Sequence, residues 1–331
     1  MITPAYSITA TERVLPRLAL DFTTAQLDPR ITFTRAGNTA TVTDASGVIV
    51  AVNADLPRFD YDPITLACKG LLMETSRTNL LLNSLIDGTN LVTQSSVVTA
   101  AIHTLSFYGT GSVTLTGTHS AIVDGLGDYP SRKIYTFTPT AGALLLTVSG
   151  DVKFAQLEAG EWASSFIPTA ASQVTRTNDV AVMTDANFTG WFTASAGTLS
   201  CVASWNNDST QVMIAASISD NTTNNRINFY KQSSTLRFAY RSGGGGPFVD
   251  TTLSAVANTP TQMAIGYDNT NARGGVQTYQ ANISGSLPVS PSRLTIGSQT
   301  TGSANILNGW VAKINFWPMK LTNAEIQANS Q

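Results

Sequence analysis

Residues 226–241 read RINFYKQSSTLRFAYR. In the first half Ile227 and Phe229 alternate with Arg226, Asn228 and Tyr230, and in the second Leu236, Phe238 and Tyr240 alternate with Arg237 and Arg241. A period of two is the side-chain period of a strand, so each half sorts apolar residues to one face and polar residues to the other. The QSST between the halves is the right length and chemistry for a chain-reversing turn. The segment therefore predicts a β-hairpin with an apolar face turned to a core and a basic face carrying a tyrosine.

The same grammar extends outward. Ser112-Val113-Thr114-Leu115-Thr116 and Ile134-Tyr135-Thr136-Phe137-Thr138 alternate, the second ending at Pro139, and toward the C-terminus Leu294-Thr295-Ile296-Gly297 and the run from Trp310 to Trp317 precede Pro318. Proline cannot donate to a ladder, so these positions stop pairing. Helical 3.6-residue periodicity is almost absent, and short alternating runs between turn residues are the signature of sandwiches and barrels, so the fold class is all-β. One short helix is expected near the end, where Thr322 and Glu325 have capping-box spacing.

At 331 residues the chain is long enough for more than one core. We divide it into an irregular, Pro- and Asp-rich N-terminal segment (1–84), a small β-sandwich (85–168) closed by Ser165-Phe166-Ile167-Pro168-Thr169, and a larger jelly roll (169–331). The run Gly243–Gly246 reads as a hairpin tip, because a phosphate-cradling loop must open a helix and both flanks here look like strands.

Charged residues are 12% of the chain and the net charge is -2. That gives no electrostatic footprint for nucleic acid or an anionic membrane. The opening MITPAYSITATERV has neither a basic start nor an apolar run, so no secretory leader is expected there, and no apolar stretch approaches the roughly 20 residues of a spanning helix. Cys68 and Cys201 fall in different units, too few for a disulfide framework, and read as two reduced, mostly buried thiols.

Three strings carry a resemblance: RITFTRAGNTATVTDASG from Arg30, PRFDYDP from Pro57, and KGLLMETSRTNLLLNS from Lys69. Together they resemble a module of tailed-bacteriophage virion proteins. FYGTGSVTLTGTHSA at 107–121 and residues 129–169 are similar to a phage head-spike or fibre domain, and residues 292–327 resemble the closing segment of a concanavalin-like or laminin-G-like jelly roll. The resemblance implies a structural virion protein, assembled in the host cytoplasm, whose residues 1–84 contact other capsid or tail proteins. It also implies a homo-oligomer, most simply a trimer, with a distal lectin-like domain able to touch host-surface glycan. A decoration or joining protein without ligand is the alternative, and a polysaccharide depolymerase the third reading.

Hydrolysis finds little support in the residues. Glycosidases need two carboxyl groups facing the sugar about 5–9.5 Å apart, whereas Asp179, Asp185, Asp208, Asp220, Asp250 and Asp268 are scattered among turn residues, and Glu325 lies in the terminal helix. Asp60 and Asp62 are expected to serve turns or to pair with Arg58, and Glu158 and Glu161 to be structural. His103 and His119 lack a second His or Cys at ligand spacing, so no metal, cofactor or catalytic residue is assigned. Calcium would need six or more oxygens, toward which Asn206-Asn207-Asp208 and Asp220-Asn221 offer only a start.

For binding, the hairpin stands out: Arg226, Lys231, Arg237 and Arg241 occur in 16 residues without one acid. Arginine forks suit carboxylate or phosphate and an aromatic ring offers a stacking surface. Arg226, Tyr230, Arg237 and Arg241 are therefore the glycan-binding residues expected from sequence, with Trp205 beside its polar loop as a second aromatic. The competing reading is a solvated outer face that keeps the strands soluble. Trp191, Trp310 and Trp317 are expected in the core.

Overall fold

A computed structural model describes residues 15–37, 40–206, 211–246, 248–276, 279–283, 288, 290–301 and 305–330. Residues 1–14, Asn207, Asp208 and Pro247, which entered the sequence reading, lie outside the described residues. The chain is all-β, built of antiparallel sheets.

Two large sheets share one core. In the first, Tyr279–Ile283, Ala272–Val276, Thr261–Tyr267, Gly197–Trp205, Gly309–Trp317, Cys68–Met73 and Phe59–Tyr61 follow one another, and Leu18–Asp21 pairs with the remaining length of Gly309–Trp317. The second runs Thr32–Thr34, Val180–Thr184, Arg293–Ile296, Met213–Ser219, Arg226–Gln232, Thr235–Arg241 and Phe248–Ser254. Leu18, Phe33, Leu71, Leu199, Ile227, Phe238 and Phe316, drawn from both sheets, belong to the same buried cluster.

Four strands of residues 1–84 thus enter the sheets of the C-terminal unit. The segment expected to be irregular and to depend on an outside partner finds its ladders within the chain: Leu18↔Phe316, Val182↔Thr32 and Gly309↔Met73. The physical reason is edge satisfaction. An unpaired strand leaves a row of N–H and C=O groups without partners, and these short N-terminal strands close edges of the larger sandwich. Gly70 is essential to one contact, because at its φ of +115° a Cβ would stand 2.3 Å from the carbonyl oxygen of Val311.

The small sandwich has its own core. Ala121–Asp124, Ser112–Gly117, Gly142–Ser149 and Gln94–Val98 form one sheet, and Lys133–Phe137, His103–Tyr108 and Lys153–Ala159 the other. Alternation sends Val113, Leu115, Leu144 and Leu146 inward to meet Leu105, Phe107 and Leu157. The terminal helix Asn323–Ala328 starts with the expected capping box between Thr322 and Glu325.

The units meet at a buried ionic joint. Arg35, Arg58, Arg176, Glu74 and Asp179 are each at most 1% exposed. Arg58 donates to Glu74 at 2.7 Å and also to Asp179, Arg35 reaches Asp179 at 3.2 Å, and Arg176 lies 3.5 Å from Glu74. Ser165, from the closing segment of the small sandwich, donates its N–H and hydroxyl to Glu74 at 2.7 and 2.6 Å. Burial alone would raise the Glu74 carboxyl pKa, but the charges of Arg176 and Arg58 and the Ser165 bonds outweigh it and hold the carboxyl far below its usual range. Nearby, buried Asn79 donates to Ala155 and Ile167 carbonyls (3.2 and 2.9 Å) and accepts from Leu81 and Leu157 N–H groups (3.1 and 3.2 Å). PRFDYDP and KGLLMETSRTN thus supply Arg58, Glu74 and Asn79 to an internal fastening.

Candidate functional site

The 226–241 segment forms the expected hairpin, with Arg226 opposite Arg241, Tyr230 opposite Arg237 and Gln232 opposite Thr235. Ile227, Phe229, Leu236, Phe238 and Tyr240 all enter the main core. Arg226, Tyr230, Arg237 and Arg241 share the other face, as two cross-strand pairs. The structure therefore brings together four of the five residues singled out from sequence.

That face is less open than alternation alone suggests. Arg226 is 6% and Tyr230 5% exposed, because the next strand, Phe248–Ser254, folds Phe248 over them. The Phe248 ring lies 4.5 Å from the Arg241 guanidinium carbon, 5.5 Å from that of Arg226, and edge-on to Tyr230 at 6.3 Å. Both guanidinium groups thus use the negative face of one ring. Their remaining contacts are backbone carbonyls, Thr223 for Arg226 and Gly244 for Arg241, and each buried Nε is without a hydrogen-bond partner. Among the described residues neither forms an ion pair. Burial, and secondarily the charge of Arg241, pulls the Arg226 guanidinium down to about 10.

Arg237 is different. Its Nε lies 2.9 Å from Asp250 and it also donates to Gln232. Sequence reading of the hairpin missed both Phe248 and Asp250, since they come from a third strand beyond the glycine turn. Alternation in FVDTTLS was the available signal, as it puts Phe248 and Asp250 on one face.

Trp205 is corrected outright. It is fully buried in the main core, so it presents no ring to a ligand. Leu199, Cys201, Ala203 and Trp205 are the inward residues of Gly197–Trp205, and that period of two was legible. Asp60 also departs from expectation: it pairs with Lys69 and accepts the Trp310 indole N–H at 2.8 Å, while Arg58 turns into the joint. Trp310 is half-buried rather than core.

The remaining polar candidates are used locally. Asp220 accepts from Thr222 and Asn225 in its turn, and Glu158 accepts from Gln156 and from both groups of Ser164. His103 contacts the Ala101 carbonyl, and His119 contacts Tyr135. Cys68 and Cys201 are free thiols, Cys201 buried and Cys68 half-buried. Among the described residues no group of three His, Cys, Asp or Glu side chains could hold a metal ion, and no helix is long and apolar enough to cross a membrane.

No family model and no curated protein matches the chain. Among solved structures, a Trypanosoma rangeli sialidase in complex with the inhibitor DANA aligns over 45% of this chain and 25% of its own, at 14% identity and TM-score 0.36. The CBM40 of Ruminococcus gnavus IT-sialidase bound to α2,3-sialyllactose aligns over 41% of this chain and 83% of its own, at 12% identity and TM-score 0.35. The NanB sialidase of Streptococcus pneumoniae aligns over 45% of this chain and 26% of its own, at 10% identity and TM-score 0.38. The chain thus spans about a quarter of the sialidases it aligns with.

Proposed function

We propose that this chain is a structural, non-enzymatic subunit of a tailed-bacteriophage virion, a capsid- or tail-attached spike or fibre, and that its larger sandwich binds an acidic glycan of the host surface. The virion reading rests on the quoted strings. The binding reading rests on one observation: buried Arg226 and half-buried Arg241 stand opposite each other, both against the Phe248 ring and, among the described residues, without a carboxylate partner. Two cations so placed repel, and an anion between them would remove that cost while accepting charge-assisted hydrogen bonds from both. A carboxylated sugar offers such an anion together with an apolar ring face.

Binding of purified full-length protein to alginate, with neutral dextran as control, tests this. The intact protein is expected to bind alginate more weakly as salt rises, and Arg226→Ala with Arg241→Ala to lose about 1.5–3 kcal/mol per charge-assisted bond removed. Salt-insensitive binding that both variants keep would overturn the hairpin assignment. Antibody labelling of purified particles tests the virion reading, and sedimentation tests the homotrimer. Release of reducing ends from host polysaccharide would instead favour the depolymerase.

A further inference from the structure

Where the three units meet, above the ionic joint, the surface opens into a cleft of about 230 Å³. We infer that this cleft is a second binding site, for a single ring of a neutral saccharide, with Asp60, Lys69, Tyr129 and Arg132 as its polar contacts and Trp310 as a wall. It takes one wall from each part of the chain: Asp60 and Lys69 from the strands that extend the large sheet, Tyr129 and Arg132 from the small sandwich, and Trp310 from Gly309–Trp317. At this volume it is smaller than the roughly 300–1,000 Å³ pockets that enclose drug-sized ligands. One sugar ring is the scale it suits.

The polar groups are fixed before any ligand arrives. Asp60 is 6% exposed and accepts from the Trp310 indole at 2.8 Å, from the Thr43 N–H at 3.0 Å and from Lys69. A carboxylate has about four acceptor sites, so one remains for a hydroxyl. Lys69 lies 4.1 Å over the Trp310 ring and keeps donors to spare. Tyr129 shares a 3.0 Å hydrogen bond with Thr43 and meets Tyr108 edge-on at 5.2 Å. Burial, partly countered by the Thr43 bond, pushes its phenol up to about 12, so the hydroxyl stays a donor near neutrality. Arg132 donates to the Ser164 carbonyl at 2.7 Å and to Ser106 at 2.8 Å, leaving its buried Nε without a partner. Convergent donors and acceptors against aromatic walls suit a polyhydroxylated ring, which has polar edges and an apolar face. The lining carries two carboxylates, Asp60 and Glu74, and two cations, Lys69 and Arg132, so the ligand needs no charge of its own. The site does not depend on the Arg226–Arg241 pair, and either can fail without the other.

The test uses the ¹⁵N-labelled full-length chain, whose five tryptophans give few indole N–H resonances. The Trp310 resonance is assigned by its loss in Trp310→Phe, and by its shift in Asp60→Asn should Trp310→Phe not fold. Glucuronate, as an anionic control, and four neutral sugars, glucose, galactose, mannose and N-acetylglucosamine, are titrated separately at millimolar concentration. At least one of the four neutral sugars is expected to shift that resonance saturably. Lys69→Met and Tyr129→Phe are each expected to weaken the response about tenfold, the equivalent of one hydrogen bond to a ligand. If none of the four sugars moves the resonance, if both variants respond like the parent, or if only glucuronate acts and salt abolishes its effect, the assignment is overturned.

Discussion

The joint and the hairpin are both built around arginine, and they treat it in opposite ways. In the joint, Arg35, Arg58 and Arg176 converge on Glu74 and Asp179, and the desolvation of five charges is offset by mutual attraction and by Ser165. On the hairpin, Arg226 and Arg241 lie against Phe248 but face each other, and among the described residues their hydrogen-bond acceptors are carbonyls. Attraction between matched buried ions roughly offsets their desolvation, whereas an ion without a partner bears that cost alone, so the first arrangement is tolerated within the fold while the second leaves an unmet demand for an anion. Between Arg58 and Arg226, both buried, the difference among the described residues is the carboxylate partner.

Four changes would break or sharpen this contrast. Glu74→Gln leaves two buried guanidinium groups short of their counter-charge, and denaturant unfolding is expected to show a loss of about 3–5 kcal/mol. Arg241→Ala, at the half-exposed end of the hairpin, is expected to stay within about 1 kcal/mol. Equal losses would erase the distinction.

Acid should act on the joint first. A carboxyl whose folded pKa is depressed contributes stability that is fully present above its unfolded value, 4.5 for Glu74, and lost as pH falls below it. Unfolding midpoints are therefore expected to drop below about pH 4.5, and the drop to be shallower in Glu74→Gln. A variant with the parent's acid slope would mean that other carboxylates govern the loss.

Asp250→Asn removes the partner of Arg237 on the hairpin. The exposed pair contributes about 0.2–1 kcal/mol at most, so stability should hardly change while affinity for alginate rises by up to about fivefold. A fall in affinity would show that Asp250 orients Arg237 rather than competing for it.

The smallest effect is expected at the hairpin turn. Ser233 has φ of +53°, a left-handed conformation in which glycine is unstrained. Ser233→Gly should add about 0.5 kcal/mol to stability without altering alginate binding, showing that the turn and the cation pair are separable.

The hairpin was legible because its information is local: alternation fixes which residues share a face and QSST fixes where the chain reverses. The capping box at Thr322 was legible for the same reason. The joint was not, since its charges stand at 35, 58, 74, 176 and 179 and nothing in their spacing says that they converge. Asp179 read as a turn residue, and PRFDYDP as an anchor. Burial of the hairpin's polar face was equally hidden, because it depends on Phe248 from a neighbouring strand. The exclusion of Trp205 from the surface was available in its phase with Leu199, Cys201 and Ala203.

The pairing of Leu18–Asp21 with Gly309–Trp317 also sets a timetable. During synthesis the first described strand is made long before its partner, and at 5–20 residues per second the nearly 300 intervening residues take tens of seconds. Over that interval Leu18 and Leu20, fully covered in the finished molecule, have no sheet to join. The small sandwich, which has a core of its own, can form meanwhile, but the large one must wait for its last long strand. A ribosome that stalls after residue 300 would release a chain with one ordered unit and an open, sticky edge, a natural substrate for chaperones or proteases.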